Sequence, residues 1–483
     1  MKQASNNRKT PSAVGAEIVS GVLSMTIKIK NKKELIENAE SPLLRKARTI
    51  ALESLEYAIN AADPKKLIKS KIQLENSTLN AGQQTFDLKR FLNVYVVGGG
   101  KAAGSMAEAI EDILGDRITD SAVTVPYGDR HKTRIIKLHE ASHPVPDEAG
   151  VKRTKYMIEL AEHARKDDLV ICLISGGGSS LMPLPRDNVT LEDMQRLNCA
   201  LLESGARISE INIVRKHISA FKGGWLAKKA YPATLLNLVL SDVVGDRLEF
   251  IASGPTVPDS STFDEARIVL EKYGLRKNTP AEVRKILLDG EKSLIAETPK
   301  KGDVAFEKVN TVILGNNRTA ASAAYQYLKS KGLNAFLLTS TLEGEARHVG
   351  TVLASIANEI IDSGNPVAGP AAVVVGGETT VTVAGKGRGG RNQELALSAA
   401  FKLSNADGVV IASISTDGVD GPTTAAGAIV DRDTLPKAER LGFDGSRFLA
   451  ENDSGSFFSR IGDLIITGPT RTNVSDISVI VLL

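Results

Sequence analysis

Two rhythms of apolar positions alternate along the chain. From Ser41-Pro42, an N-cap hydroxyl followed by proline at the first helical position, Leu44, Ala47, Ala51, Leu55 and Ala58 recur at three- and four-residue spacing. That spacing predicts a helix with one apolar face, which Asp63-Pro64 ends. Further on, Asn93 to Val97 is a short β-branched run that enters Gly98-Gly99-Gly100-Lys101 and then helix formers from Ala102 to Leu114. Strand, glycine turn, helix opens a parallel α/β unit. Apolar runs at 168–174, 234–240, 311–314, 335–338, 371–375 and 408–414 repeat the strand, and helices are expected over 318–330 and 345–361. Fully apolar strands suit a sheet covered on both faces.

The texture is helical and charged from Phe263 to Leu287, then thins into the polar stretch Glu297 to Asp303. Taken as a boundary, that stretch gives two consecutive α/β domains, residues 40–303 and 304–483, behind a polar leader at 1–39. In the leader, Lys2, Arg8 and Lys9 precede a mildly apolar run that Glu17 breaks, and Thr26-Ile27-Lys28 stands where a signal-peptide cleavage site would be. A signal peptide is therefore not expected.

Composition narrows the function classes. With 483 residues, 42% apolar and 24% charged, the chain has the make-up of an ordinary globular protein. A net charge of +3 and 4% aromatics provide neither the basic stripe nor the stacking rings of a nucleic-acid binder. Two cysteines, Cys172 and Cys199, make no disulfide framework or zinc site, and a reduced, cytoplasmic setting fits them.

The candidate chemistry collects at strand ends, where open α/β sheets bind ligands. Gly98-Gly99-Gly100-Lys101 fits a dinucleotide fingerprint only weakly, and Ala102 stands where a P-loop needs Ser or Thr. What remains is Lys101 at a helix start beside the amides of Gly99 and Gly100, a position that attracts phosphate or carboxylate. Ser175-Gly176-Gly177-Gly178-Ser179-Ser180 offers amides and hydroxyls to an anion. Gly385 to Glu394 sets Lys386, Arg388 and Arg391 among glycines before a helix, and an arginine fork suits phosphoryl oxygens. Asp242, Asp246, Glu378, Asp417 and Asp420 follow strands, placed to hold Mg²⁺ or to cap helices; Asn316 also follows a strand. His143 lies in a proline-bounded loop, and Arg215-Lys216-His217 reads equally as a cationic patch or a solvated helix face. No Ser-His-Asp order can be defended from these positions.

Nine motifs in order carry a resemblance. They are Val96 to Ala103, Ser142 to Asp147, Ser175 to Ser180, Asn212 to His217, Ser241 to Asp246, Ala252 to Thr256, Gly389 to Glu394, Thr416 to Thr423 and Gly468 to Thr470. Together they resemble the glycerate 2-kinase family, whose C-terminal part is the MOFRL domain, over about residues 40–483. The resemblance implies ATP-dependent, Mg²⁺-assisted phosphorylation of D-glycerate to 2-phosphoglycerate and ADP. It implies a Rossmann-like N-terminal domain, a smaller C-terminal α/β domain and an active site in the cleft between them.

On the matching motifs, Lys101 and Arg391, rather than Arg388, are the expected catalytic cations. Gly99, Gly100, Ser175 to Ser180 (175, 176, 177, 178, 179 and 180), Asp242, Asn316 and Arg388 are expected to bind substrate or nucleotide, and Asp417 and Glu378 to hold metal. Two departures stand out: Val244 where the family commonly has Pro, and Arg471 where it has Gly. A small-molecule substrate, no nucleic acid, no membrane and a homodimer as the candidate assembly complete the expectations. The rivals are an NAD(P)H-dependent hydroxypyruvate reductase and a non-catalytic sugar-phosphate- or nucleotide-binding regulator.

Overall fold

The computed structural model describes residues 27–483, which form two compact α/β units. The parallel-sheet unit comprises Asp63–Asn316 and Arg471–Val474. The mixed-sheet unit takes the residues through Ala62, Asn317–Thr470 and Ser475–Leu483.

In the parallel-sheet unit, β1 (Ile72–Glu75), β2 (Thr78–Ala81) and β3 (Gln84–Asp87) make a small antiparallel sheet. The main sheet contains β4 (Asn93–Gly99), β5 (Asp120–Pro126), β6 (Leu138–Ala141), β7 (Asp168–Ile174), β8 (Thr234–Leu240) and β9 (Val309–Gly315). Their order is β6-β5-β4-β7-β8-β9, every pair parallel. β7 is buried at all seven positions, as an inner strand covered on both faces must be. The strand order reverses direction between β4 and β7, which opens a crevice beyond their carboxyl ends. Helices Leu191–Glu203, Ile208–His217, Phe263–Lys272 and Ala281–Glu291 form a lobe with an apolar core of its own.

In the mixed-sheet unit, β10 (Asn334–Leu342), β11 (Ala371–Gly377), β12 (Val409–Ser415), β13 (Gly427–Asp431), β14 (Leu464–Ile465) and β15 (Asp476–Leu482) are ordered β10-β11-β15-β12-β13-β14. Only β10 and β11 are parallel; the remaining pairs are antiparallel. β15 thus runs between β11 and β12 against both, and its first residue, Asp476, is in register with Gly377 and Ser415. The helix Pro42–Ala61 packs on this sheet, capped by the Ser41 hydroxyl as its sequence requires.

Three organisational expectations change. The strand at 311–314 belongs to the first sheet: β9 pairs with β8, so contacts divide the chain at Asn316 rather than at 303. The units are not consecutive, because the helix from Pro42 joins the C-terminal residues. Of the leader at 1–39, residues 1–26 lie outside the described residues, but 27–39 are folded. Ile29 and Leu35 are buried there, and Arg48 binds the Leu35 carbonyl oxygen at 2.8 Å while pairing with Asp431 and Asp463. Among the described residues, no helix is long and apolar enough to cross a membrane.

Candidate active site

At the switch point of the parallel sheet, the loops after β4 and β7 interlock. The Lys101 amide donates to the Gly176 carbonyl oxygen at 2.8 Å, and the Ala102 amide to the Ser175 hydroxyl at 3.1 Å. Such intimacy requires Gly100: its φ is +148°, and a Cβ there would stand 2.1 Å from Ser175 Oγ. Gly176 is pressed on the carboxylate that follows β8, since a Cβ there would lie 1.9 Å from Asp242 Oδ2. Asn473 Nδ2 donates to the same Asp242 oxygen at 3.1 Å. The backbone at Gly177 abuts both His143 and Lys101; a Cβ would be 2.9 Å from His143 Cδ2 and 3.2 Å from Lys101 Cγ.

Gly178 to Leu181 form one helical turn. Ser179 Oγ lies 3.0 Å from Ser253 Oγ, while the Ser180 hydroxyl donates to the Gly177 carbonyl oxygen. The structure therefore gathers Gly99, Gly100, Lys101, the Ser175–Ser180 turn and Asp242 in one place. Asn316, which follows β9, donates to Asp246 in the loop after β8.

Behind the lysine, the helix Ala103–Leu114 carries Ser105, whose hydroxyl is 3.0 Å from His131 Nε2. His131 Nδ1 is in turn 2.8 Å from Asp129 Oδ1. This chain of contacts fixes the helix turn that follows Lys101.

In the mixed-sheet unit, Arg391 opens the helix Arg391–Lys402. Its Nε and Nη2 reach Asp476 Oδ2 and Oδ1 at 2.5 and 2.9 Å, and Nη1 reaches Glu378 Oε1 at 2.8 Å. Burial pulls the guanidinium pKa down, but the Asp476 and Glu378 charges outweigh it and hold Arg391 protonated above its ordinary value. Asp420 caps this helix, accepting from the Asn392 and Gln393 amides at 3.1 and 2.9 Å. Burial and the nearby Asp476 push its pKa up to about 6. Asp417 Oδ1 accepts from the Ser415 hydroxyl at 2.8 Å and the Val419 amide at 3.0 Å.

Several expectations are corrected. The glycines before Arg391 serve close packing: a Cβ at Gly387 would lie 2.3 Å from Asp453 Cβ, and one at Gly390 2.2 Å from Asp420 Cγ. Arg388 stands exposed on that run, with its amide donated to Asp453. Glu378, expected to hold metal, also pairs with Arg391 through Oε1. Among the described residues, no group of three or more His, Cys, Asp or Glu side chains could hold a metal ion. Lys216 and His217 form neither a patch nor a solvated face; both are buried, pairing with Asp259 at 3.2 Å and Glu297 at 3.0 Å respectively. Cys172 is a free thiol buried in β7, and burial pushes its pKa up, so it supplies no thiolate.

Two functional candidates are absent from the sequence reading. Asp476 opens an apolar strand, and that pattern alone could have marked it as a strand-end carboxylate. Asn473 has no such signal, because only the fold brings residues 471–474 to the parallel-sheet unit. Arg471 itself adopts φ +64°, a left-handed conformation that suits the glycine expected there.

Comparison with known proteins agrees with this layout. Residues 50–288 match the family described as "Domain of unknown function (DUF4147)", and residues 371–476 match the MOFRL family. The D-glycerate 2-kinase of Thermotoga maritima is 44% identical over 424 residues, covering 86% of this chain and 98% of that protein. A relative from Agrobacterium vitis carrying a provisional hydroxypyruvate reductase name is 44% identical over 389 residues, 80% of this chain and 86% of that protein. The crystal structure of the glycerate kinase from Thermotoga maritima superimposes with a TM-score of 0.78 at 43% identity, over 89% of this chain and 98% of that chain. On sequence, fold and the order of its motifs, the chain belongs to the glycerate 2-kinase family.

Proposed function

We propose that the chain transfers the γ-phosphoryl group of ATP to the 2-hydroxyl of D-glycerate, giving 2-phosphoglycerate and ADP by direct in-line displacement. The observation that carries this reading is the interlocked pair of loops at the switch point. There Lys101, glycine amides, serine hydroxyls and the Asp242 carboxylate converge. Lys101 and Arg391 neutralise charge on the transferring group, acting where charge develops rather than on the ground state. Asp242, steadied by Asn473, orients the attacking hydroxyl. Arg388 and Asn316 contact substrate or nucleotide.

A divalent cation in such a reaction takes few protein ligands and several phosphate oxygens, so the lack of a three-carboxylate cluster among the described residues is compatible with Mg²⁺. The donor chemistry fits at Asp417, whose oxygen is oriented by Ser415 and Val419, while Glu378 is engaged by Arg391. When bound, Mg²⁺ supplies neutralisation of phosphate charge. A cytoplasmic setting accords with the two free thiols.

Phosphorus NMR of the product formed from ATP and D-glycerate tests activity and regiochemistry together. A 2-phosphoglycerate resonance is expected, and oxidation of NADH by hydroxypyruvate without ADP formation would favour the reductase instead. β5 ends in Pro126-Tyr127-Gly128 without the ribose-holding acid of a dinucleotide site, which weighs against the reductase.

A further inference from the structure

A cavity of about 240 Å³ opens beside the Ser175–Ser180 turn, in the parallel-sheet unit. Proline, leucine, valine, isoleucine and methionine side chains make up about half of its lining residues, and His143, Ser179, Ser180, Asn198, Arg215 and Lys222 supply its polar side chains. No carboxylate is among its lining residues. Lys222 is 2% exposed, and two of its three ammonium donors go to the carbonyl oxygens of Ser179 and Met182, at 2.8 and 2.9 Å. Arg215 is fixed by Asn198, whose Oδ1 accepts from its Nε at 2.8 Å. Neither cation has an acidic partner among the ion pairs of the described residues.

Buried cations normally come with a counter-charge, because an unpaired charge away from water is costly. Here two cations share one cavity, and the only charge acting strongly on Lys222 is the like charge of Arg215. Such a site is completed by an anion. We infer that the cavity is the carboxylate pocket of the substrate, with Lys222 and Arg215 binding the carboxylate of a small 2-hydroxy acid. The apolar walls limit the occupant to a short carbon chain and exclude a hydrated polyphosphate. Gly177 lines the same cavity and abuts Lys101, so the anchored acid has its hydroxyl-bearing end beside the lysine proposed for transfer. The inference deepens the kinase reading and rests on it for the identity of the acid.

The test uses the full chain, with two readouts. In the first, the midpoint of thermal unfolding is followed with D-glycerate alone, without nucleotide. The unsubstituted protein is expected to gain stability, and Lys222→Met and Arg215→Gln to lose that gain. In the second, steady-state kinetics are expected to show KM for D-glycerate rising about 10- to 100-fold in both variants, as for loss of one hydrogen bond to a charged group, with KM for ATP unchanged. Arg215→Gln keeps the test decisive if Lys222→Met does not fold. Stabilisation by D-glycerate without turnover would uphold the pocket while the kinase reading fails. A rise in KM for ATP with KM for D-glycerate unmoved would make the cavity a nucleotide site and overturn the inference, as would the absence of any glycerate-dependent stabilisation.

Discussion

Arg391 and Asp476 face one another through two parallel hydrogen bonds, at 2.5 and 2.9 Å, with the aspartate nearly buried. The arginine's remaining nitrogen is turned to Glu378. A planar fork held this way on one carboxylate presents its charge at a fixed position, which a lysine cannot reproduce. Asp476→Ala is therefore expected to cost about 3 kcal/mol of stability, because it leaves Arg391 without its buried partner. It is also expected to lower kcat by about 10²-fold through the loosened guanidinium. Urea denaturation and steady-state kinetics on the same preparation check both, and Arg391→Lys should not restore turnover.

Lys101 sits in a loop whose amides at 101 and 102 are bonded to the Gly176 carbonyl oxygen and the Ser175 hydroxyl. Lys101→Ala should unfold at the same urea concentration as the unsubstituted protein yet lose about 10²- to 10³-fold in kcat. Circular dichroism with an ADP-coupled assay separates the two effects; near-normal turnover would remove Lys101 from the reaction.

Gly176→Ala makes a steric test of the same loop. The new methyl would lie 1.9 Å from Asp242 Oδ2 and 3.0 Å from Asn473 Nδ2, so the carboxylate must move. A loss of about 1–3 kcal/mol is expected from the overpacking, together with a fall in turnover larger than the stability change explains. Thermal unfolding and initial rates measured together decide it.

The cavity lysine gives a pH signature. Burial, with the Arg215 charge adding to it, brings Lys222 down to about 7. An anion binds the protonated amine, so KM for D-glycerate should climb as pH rises above about 7, approaching tenfold per unit. The folding balance has the opposite sense. An amine whose pKa is lowered on folding is bound by more protons in the unfolded chain between about 7 and 10.4, so its contribution makes stability rise with pH over that window. The titratable groups lining the cavity are His143, Arg215 and Lys222. Lys222→Arg, charged throughout, should flatten the rise in KM above pH 7. A KM profile from pH 6 to 9 would show it.

Removal of residues 1–39 should be far more damaging than a polar leader would suggest. Arg48, fully buried, binds Asp463 at 2.6 Å, Asp431 at 2.7 Å and the Leu35 carbonyl oxygen, while Ile29 and Leu35 fill the adjoining core. Deleting through Ala39 is expected to lower the urea midpoint markedly.

The legible part of the molecule was its strands and their loops. β7 and β8 stand at the limits their apolar runs set, and the Gly98–Lys101 and Ser175–Ser180 loops meet because parallel strands on either side of a switch point must bring their carboxyl ends together. Sequence spacing carried no information on which strands neighbour one another. Hence the apolar pattern alone groups β9 with the later strands, and it carries no sign of the mostly antiparallel pairing of the second sheet. Charge inventories misled for a related reason. Lys216 and His217 look available in one dimension and are paired with carboxylates remote along the chain, as Arg391 is with Asp476, 85 positions away. Lys222 carries no distinctive motif of its own; only the fold places it in a cavity whose lining holds no acid.

The placement of β15 between two earlier-made neighbours has a consequence for biosynthesis. While residues 476–482 are still inside the ribosome, β11 and β12 have left it with their facing edges unpaired, an invitation to improper pairing between nascent chains. The parallel sheet carries no such wait, since all six of its strands emerge earlier. Translation thus imposes an order of assembly in which the parallel sheet has all its strands while the mixed sheet awaits the strand that also delivers the aspartate gripping Arg391.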